Sequence, residues 1–204
     1  MSKGTEEPNS DCQLCKRLAD FRRENKKRIP DGFNGPVPGF GGGRTRLLVV
    51  GLAPGLNGAN RTGRPFTGDY AGDLLYAALL RFGFARGLYE ARADDSLELV
   101  DCSITNAVRC VPPHNKPVAA EINTCRTFLK TEIESYGSLQ AILALGKISH
   151  DSLIRSFSLK LSDYKFAHGA RHDVGRNIRL FDSYHCSRYN TNTRRLSEEM
   201  FMDI

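Results

Sequence analysis

The chain has 204 residues, of which 40% are hydrophobic and 25% are charged, and its formal net charge is +6. This length and composition predict one soluble domain with its own core, and they exclude a disordered or fibrous chain. No apolar run reaches the roughly 18 residues of a membrane span, and the opening MSKGTEEPNS lacks the apolar centre of a signal peptide. We therefore expect a cytoplasmic protein, whose basic excess favours a polyanionic partner without requiring one.

The first part of the chain is polar and punctuated by proline and glycine. Residues 1–9 are predicted to form a flexible tail, followed by a single domain over residues 10–204. A helix is predicted from Asp11, which would cap it, and its apolar face would carry Leu14, Leu18 and Phe21. Residues 30–43, PDGFNGPVPGFGGG, are typical of an irregular surface connection.

Short apolar runs alternate with helical patterns through the rest of the chain. The runs predict buried strands at residues 46–50, 101–105, 141–145 and 178–183. Helical periodicity covers residues 72–82, 118–136 and 146–157. Strands that are apolar on both faces suit a parallel sheet covered by helices. The pattern therefore predicts an α/β fold, a three-layer α/β/α sandwich with a central four-stranded parallel sheet.

Unusual loops follow three of the predicted strands. The first is GLAPGLNGANRTGRPFTGD at residues 51–69, which is far longer than an ordinary strand-to-helix connection. The second begins NAVRCVPPHNKP at residue 106, and the third is YHCSRYNTNTRR at residues 184–195. Because ligand sites of such sheets lie outside the carboxyl ends of the strands, we expect the three loops to form one site.

Four of the six cysteines have a spacing that is typical of metal ligands. Cys12 and Cys15 form a C-x-x-C pair, and Cys110 and Cys125 lie far downstream. A cytosolic chain is not expected to form a disulfide framework. Thiolates suit either zinc or an iron–sulfur cluster. The spacing alone does not decide between these two centres, nor whether the cysteines bind a metal at all. The other two, Cys102 and Cys186, are interpreted as small buried hydrophobic residues.

Three segments, GLAPGLNGANRTGRPFTGD, TNAVRC and SYHCSRYNTNTRRLSEEM, together resemble the uracil-DNA glycosylase superfamily. The pattern is most similar to its family five, the type b enzymes, with family four next, and it runs from residue 12 to about residue 200. The resemblance implies a monofunctional enzyme of base excision repair that hydrolyses the N-glycosidic bond of uracil in DNA and leaves an abasic site. The enzyme would act as a monomer on DNA that contains uracil or other deaminated bases. Activity on hypoxanthine and xanthine is a hypothesis.

The resemblance also implies roles for residues of the catalytic pocket. Phe66 would stack on the extruded base, Asn106 would read the base edge, and His185 would stabilise charge on the base carbonyl oxygen. Family four has an acid where this chain has Leu52, which leaves Asp69 to orient the attacking water. The small residues Gly51, Ala53, Gly55 and Gly58 would let backbone N–H groups approach a base or phosphate closely. Asn57 would also belong to the substrate-binding loop; it is commonly histidine in the family, and asparagine could still hold a water molecule.

Each of these side chains also has a purely structural interpretation. Phe66 could anchor its loop in the core, Asn106 could cap a turn, and His185 could be a hydrogen-bonded histidine at a strand end. Asp69 could cap the helix that begins near Tyr70, and capping and catalysis are compatible.

The remaining implied features concern DNA and a cofactor. Contacts with DNA would involve Arg61 and, on the last loop, Arg188, Tyr189 and Asn190. The four spaced cysteines, Cys12, Cys15, Cys110 and Cys125, would hold a structural [4Fe–4S] cluster. Two other functions stay open: a non-catalytic iron–sulfur protein that binds deaminated or abasic DNA, favoured by Leu52, and a small-molecule nucleoside hydrolase.

Overall fold

The computed structural model describes residues 7–204, so residues 1–6 of the predicted tail lie outside the described part. Glu7, near the end of the predicted tail, contacts the domain. Its carboxylate accepts a hydrogen bond from the Gly39 N–H at 3.2 Å, and it lies 3.2 Å from the Arg109 guanidinium.

Among residues 7–204 there are eight strands, six of which form a sheet at the centre of the molecule. In chain order the eight strands are β1 (Phe40–Gly41), β2 (Leu47–Gly51), β3 (Ala85–Arg86), β4 (Glu98–Leu99), β5 (Cys102–Asn106), β6 (Ala141–Leu145), β7 (Arg171–Asp173) and β8 (Arg179–Ser183). The order across the sheet is β1-β5-β2-β6-β8-β7, and β3 pairs with β4 in a separate hairpin. The four middle strands are parallel, which confirms the predicted parallel centre.

The sheet has six strands rather than the predicted four. The two additional strands, β1 and β7, pair antiparallel with β5 and β8 at the edges. They have two and three residues, which is too short for a hydrophobic period to be read from the sequence. The strand β1 also lies within the stretch 30–43 that was predicted to be irregular throughout.

Seven α-helices occur among residues 7–204. They are α1 (Lys16–Arg28), α2 (Ala59–Thr62), α3 (Tyr70–Arg81), α4 (Ala119–Ser135), α5 (Lys147–Ser156), α6 (Arg188–Asn192) and α7 (Glu198–Met202). The helices α3, α4 and α5 begin and end within two residues of the predicted limits. Within the described residues, none of the helices combines the length and apolarity needed to cross a membrane.

The helix α1 begins at Lys16, five residues after the predicted start at Asp11. Asp11 accepts a hydrogen bond from the Gln13 side chain at 2.7 Å instead of capping a helix. The Arg22 guanidinium donates to the carbonyls of Ser10 and Cys12 and folds this segment back on α1 as a loop. Leu14 is therefore 63% exposed, contrary to the predicted apolar face.

Two hydrophobic clusters cover the two faces of the sheet. Because strand residues alternate between faces, Val49 of β2 packs with α3 on one side, while Leu48 and Val50 pack on the other. The first cluster includes Leu75 and Leu79 of α3 and Phe201 of α7. The second includes side chains of α4 and α5: Leu129, Ile133, Leu153 and Ile154. The three-layer sandwich is thus confirmed.

Candidate active site

A cavity of about 430 Å³ opens where the strands β2, β5 and β8 end. Its size is within the range of small-molecule sites. It brings together seven of the residues that the sequence predicted, namely Ala53, Gly55, Phe66, Asp69, Asn106, His185 and Arg188. A larger cavity of about 520 Å³ near residue 204 is lined mainly by apolar side chains, including Phe201 and Met202, and Asp203 is the one charged residue in its lining.

Phe66 is held in a strained backbone conformation against the end of β2. Its φ of +53° lies in the left-handed region, which costs an aromatic residue about 1–3 kcal/mol. A Cβ at Gly51 would lie 2.6 Å from the Phe66 ring and 2.4 Å from Asn106 Oδ1, so glycine is required there. The Phe66 and His185 rings are nearly parallel, 25° apart, with centroids separated by 5.9 Å. The wall of the cavity is thus aromatic, with an amide beside it.

Asp69 occupies the position immediately before α3, but its side chain makes no capping hydrogen bond. Its Oδ1 atom is buried and has no hydrogen-bond partner within residues 7–204. The carboxylate packs closely against the first loop, since a Cβ at Gly58 would lie 2.5 Å from Oδ2. The helix does begin at Tyr70, as the capping interpretation expects. Asp69 lines the cavity, and one oxygen of its carboxylate has no hydrogen-bond partner among the described residues.

The pKa of Asp69 is raised, because burial disfavours its charged form. The backbone N–H groups of Gly72 and Ala71 lie near enough to favour the charged form and so oppose this shift, although neither makes a hydrogen bond of ordinary geometry to the carboxylate, and the charge of Asp73 adds to the shift. Such a carboxylate is more basic than an exposed aspartate.

His185 follows β8 and is a neutral imidazole near pH 7. Burial lowers its pKa to about 4, and no charged or hydrogen-bonded partner among the described residues offsets that effect. The Asn190 side chain donates a hydrogen bond to the His185 carbonyl at 2.8 Å. His185 therefore has a fixed backbone and a ring that can donate a hydrogen bond without carrying charge.

The other predicted residues lie around the cavity or behind it. Gly51 does not line it, but it gives room to two residues that do. Asn57 and Arg61 are exposed on the first loop, outside the lining. Tyr189 is 72% exposed on α6. Arg188 stands at the rim, where its guanidinium lies 5.3 Å from the centroid of the Tyr70 ring.

Several lining residues were not predicted. They are Pro54, Ala59, Tyr70, Ala71, Asn115 and Ser187, together with Leu52, which the sequence marked only as a missing acid. Asn115 lies in the turn after β5 and has a φ of +55°. The PPHN turn was the available signal, but a turn sequence does not reveal that one of its side chains reaches a neighbouring strand end.

The four spaced cysteines line one small cavity between α1, α4 and the segment after β5. Cys110 and Cys125 are buried, and the Arg109 N–H donates to Cys125 Sγ at 3.3 Å. Among residues 7–204, the His150, His172 and Asp182 group is the one set of three ligands with all ligand atoms within 4.8 Å. No three of the four cysteine sulfurs therefore lie within 4.8 Å of one another. Four thiols around one small cavity are a donor set that suits a thiolate-bound metal centre.

Comparison with known proteins agrees with this site. The model of the uracil DNA glycosylase superfamily matches residues 38–204. A type-5 uracil-DNA glycosylase of Thermus thermophilus is 41% identical over 198 residues, which cover 95% of this chain and 90% of that protein. The type-5 enzyme of Mycobacterium tuberculosis is 40% identical over 201 residues, 95% of this chain and 75% of that protein. A type-4 uracil-DNA glycosylase of Saccharolobus solfataricus is 30% identical over 200 residues, covering 95% and 80%. The chain therefore belongs to the uracil-DNA glycosylase superfamily and, within it, to the type-5 family.

Proposed function

We propose that the protein is a monofunctional DNA glycosylase that hydrolyses the N-glycosidic bond of uracil in DNA and leaves an abasic site. The observation that carries this proposal is the convergence of Phe66, Asp69, Asn106 and His185 on one cavity of about 430 Å³. An enzyme that acts on a base in a duplex must extrude the nucleotide, at a cost of a few kcal/mol, into a pocket of this kind.

The cavity offers both a stacking surface and a reader of the base edge. Stacking of the base on Phe66 would contribute about 1–3 kcal/mol. The Asn106 amide can donate and accept at once, so it can bind a uracil edge through two hydrogen bonds. The small residues Ala53 and Gly55 in the lining leave the backbone open to close approach of the base. Gly51 and Asn57 are proposed to complete the substrate-binding loop.

Bond cleavage would use Asp69 and His185 on opposite parts of the nucleotide. As the C1′–N1 bond breaks, its electron pair passes to the base, and the sugar becomes cationic. The Asp69 carboxylate would stabilise the cationic sugar and orient the water molecule whose oxygen bonds to C1′, and it would accept the proton that this water loses; such a group typically contributes about 10²–10⁴-fold. The neutral His185 ring would donate a hydrogen bond to the negatively charged base carbonyl oxygen.

DNA binding would be centred on the rim of the cavity. Arg61 and Arg188 are proposed to contact phosphates, with Tyr189 on the exposed face of α6, and such contacts make binding salt-dependent. Asn190 would act through the His185 backbone that it holds. The expectation of a monomer that works in the cytoplasm stays a prediction.

We also propose that the cysteine cavity holds a [4Fe–4S] cluster through Cys12, Cys15, Cys110 and Cys125. When bound, the cluster would crosslink the segment before α1 to α4 and to the loop after β5. Purified protein should then show visible charge-transfer absorbance with stoichiometric iron and sulfide. Cys110→Ser should lose this signal, whereas Cys102→Ser, a substitution in β5 away from the cavity, should retain it.

Duplexes that carry one uracil, hypoxanthine or xanthine test the activity, with a matched thymine duplex as control and alkali to reveal abasic sites. We expect cleavage at uracil and none at thymine. The apolar Leu52 in the lining supports acceptance of the deaminated purines, and release of uracil alone would reject that breadth. Binding without any cleavage would favour the non-catalytic binder, and hydrolysis of free deoxyuridine in preference to DNA would favour a nucleoside hydrolase.

A further inference from the structure

The turn that carries Phe66 is fastened from outside the cavity by Arg64. The Arg64 side chain is 5% exposed, and its two terminal nitrogens donate to the Asp95 carboxylate at 2.7 and 2.8 Å. Its Nε donates to Thr67 Oγ1 at 2.8 Å. Arg64 comes two residues before Phe66, and Thr67 comes directly after it. The Arg64 side chain therefore links both ends of the turn around Phe66 to Asp95.

Further contacts hold the carbonyls of the same turn. The Tyr76 hydroxyl donates to the Pro65 carbonyl at 2.6 Å, and the Tyr89 hydroxyl donates to the Phe66 carbonyl at 3.3 Å. At Gly72, a Cβ would lie 1.9 Å from the Phe66 carbonyl oxygen, so α3 also packs directly on this group. The left-handed φ of +53° at Phe66 is therefore imposed by its surroundings.

Asp95 and Tyr89 both come from the excursion between α3 and β5 that includes the β3–β4 hairpin. The Asp95 carboxylate also accepts hydrogen bonds from the Glu90 and Leu97 N–H groups, at 2.9 and 3.1 Å. The hydrogen bond from Arg64 holds the pKa of Asp95 at about 2, so the pair stays ionised. The guanidinium lies 4.9 Å from the Phe40 ring centroid, in an aromatic enclosure that favours this geometry.

Neither Arg64 nor Asp95 lines the cavity. We propose that the Arg64–Asp95 pair is a positioning unit for the base-stacking face, which keeps Phe66 in its left-handed conformation so that the ring meets the extruded base. This inference rests on the proposed glycosylase function. On this proposal the β3–β4 excursion, which lies outside the three sequence segments of the family, influences catalysis through the position of Phe66.

A double-mutant cycle tests whether the pair acts through Phe66. Asp95→Asn should slow single-turnover uracil release by about 100-fold, the scale of a displacement of about 1 Å at a reacting group. In a Phe66→Leu background, the same substitution should slow release by less than about threefold, because the ring that it positions is gone. Equal losses in both backgrounds, or no loss in folded Asp95→Asn, would overturn the inference.

Two further variants keep the test decisive. Tyr89→Phe removes one hydrogen bond to the Phe66 carbonyl without disturbing the buried charge pair, and we expect about a fivefold loss that also disappears in the Phe66→Leu background. If Asp95→Asn does not fold, additive losses for Tyr89→Phe and Phe66→Leu would overturn the inference. Glu98→Gln breaks an exposed ion pair with Arg86 on the same hairpin and should leave the rate unchanged.

The wild-type result separates this inference from the proposed function. If the wild-type protein releases no uracil, the proposed function fails and this inference fails with it. If the wild-type protein releases uracil and the losses of the variants are additive, only this inference is rejected.

Discussion

The candidate active-site cavity and a polar cluster behind β8 both combine histidine with aspartate, but these groups are hydrogen-bonded to each other only in the cluster. In the cluster, Asp182 bonds to His150 Nδ1 at 2.8 Å and to His172 Nε2 at 3.0 Å, and His150 Nε2 lies 2.9 Å from the Tyr164 carbonyl oxygen. In the cavity, Asp69 Oδ1 is buried without a partner in the described part of the chain.

The protonation states of His150 in the cluster and His185 in the cavity follow from this contrast. His150 Nε2 must carry a proton to bond the Tyr164 carbonyl oxygen, and a hydrogen bond to an ionised Asp182 then places a second proton on Nδ1. Burial opposes this charge, but the hydrogen bond and charge of Asp182 outweigh it and raise the pKa of His150. The distance of 2.8 Å is that of a direct hydrogen bond, shorter than the about 3.3 Å between two ligands of tetrahedral zinc. His185 has no such partner among residues 7–204, and burial lowers its pKa to about 4.

The difference teaches which buried polar groups serve stability and which are available for a ligand. A paired buried charge stabilises the fold only as long as its partner is present. An unpaired buried group costs stability, and its retention in a cavity indicates a functional role. The following substitutions test that distinction.

The largest effect is expected for Asp69→Asn. Uracil release under single-turnover conditions should fall about 1000-fold, because the amide cannot stabilise the cationic sugar. The free energy of unfolding should not decrease, since the substitution removes an unpaired buried charge. Asp73→Asn, on the exposed face of the first turn of α3, is the control; its charge makes only the smallest contribution to the raised pKa of Asp69, so the rate should change by less than about threefold. A loss below tenfold would contradict the assignment of Asp69.

Asp182→Asn should show the opposite behaviour. It leaves the His150 charge buried and uncompensated, so the free energy of unfolding measured with urea should fall by about 3 kcal/mol. The rate of uracil release should stay within about threefold at a temperature where the variant is folded. Asp151→Asn breaks the more exposed ion pair with Lys147 and should cost less than about 1 kcal/mol. Unchanged stability of Asp182→Asn would remove the contrast between the two regions.

A smaller effect is expected at the cavity rim. Arg188→Gln should weaken binding of a uracil duplex about fivefold at low salt and reduce the slope of log affinity against log salt by about 1. Binding titrations at several salt concentrations measure both quantities. Arg86→Gln, on the β3–β4 hairpin, removes an equal charge and should leave the slope unchanged. Equal slopes for Arg188→Gln and the wild type would exclude a phosphate contact.

The smallest effect concerns pH. Because the pKa of His150 is raised above 6.5 in the fold, its contribution to stability is complete below about pH 6.5 and is lost as the pH rises through the folded-state value. Urea unfolding measured at a series of pH values from about 6.5 upward should show a decrease in the free energy of unfolding of the wild type, and His150→Gln should lack this decrease. His114→Gln, at an exposed position, should retain the wild-type dependence. Parallel pH profiles for all three proteins would refute the imidazolium assignment.

Local patterns in the sequence predicted much of this molecule. The four central strands lie within one residue of the predicted runs, and α3, α4 and α5 lie within two residues of the limits that their hydrophobic periods predicted. The strand order places the ends of β2, β5 and β8 at one edge, which is why loops far apart in sequence could be expected to meet. The edge strands and the late start of α1 were missed, because they depend on pairing and on Arg22 rather than on a local period.

Family membership, the parallel centre of the fold and the three site loops could thus be inferred from residue order alone, because motifs and hydrophobic periods are short-range properties. The protonation and hydrogen bonding of each polar group could not be inferred in this way, because both depend on partners far along the chain. Arg64 meets Asp95 across 31 residues, and His150 meets Asp182 across 32. The same side-chain types become a stabilising ion pair in one place and an unpaired catalytic candidate in another. Folding decides between these outcomes, because it sets how much water and how many hydrogen-bond partners each group retains.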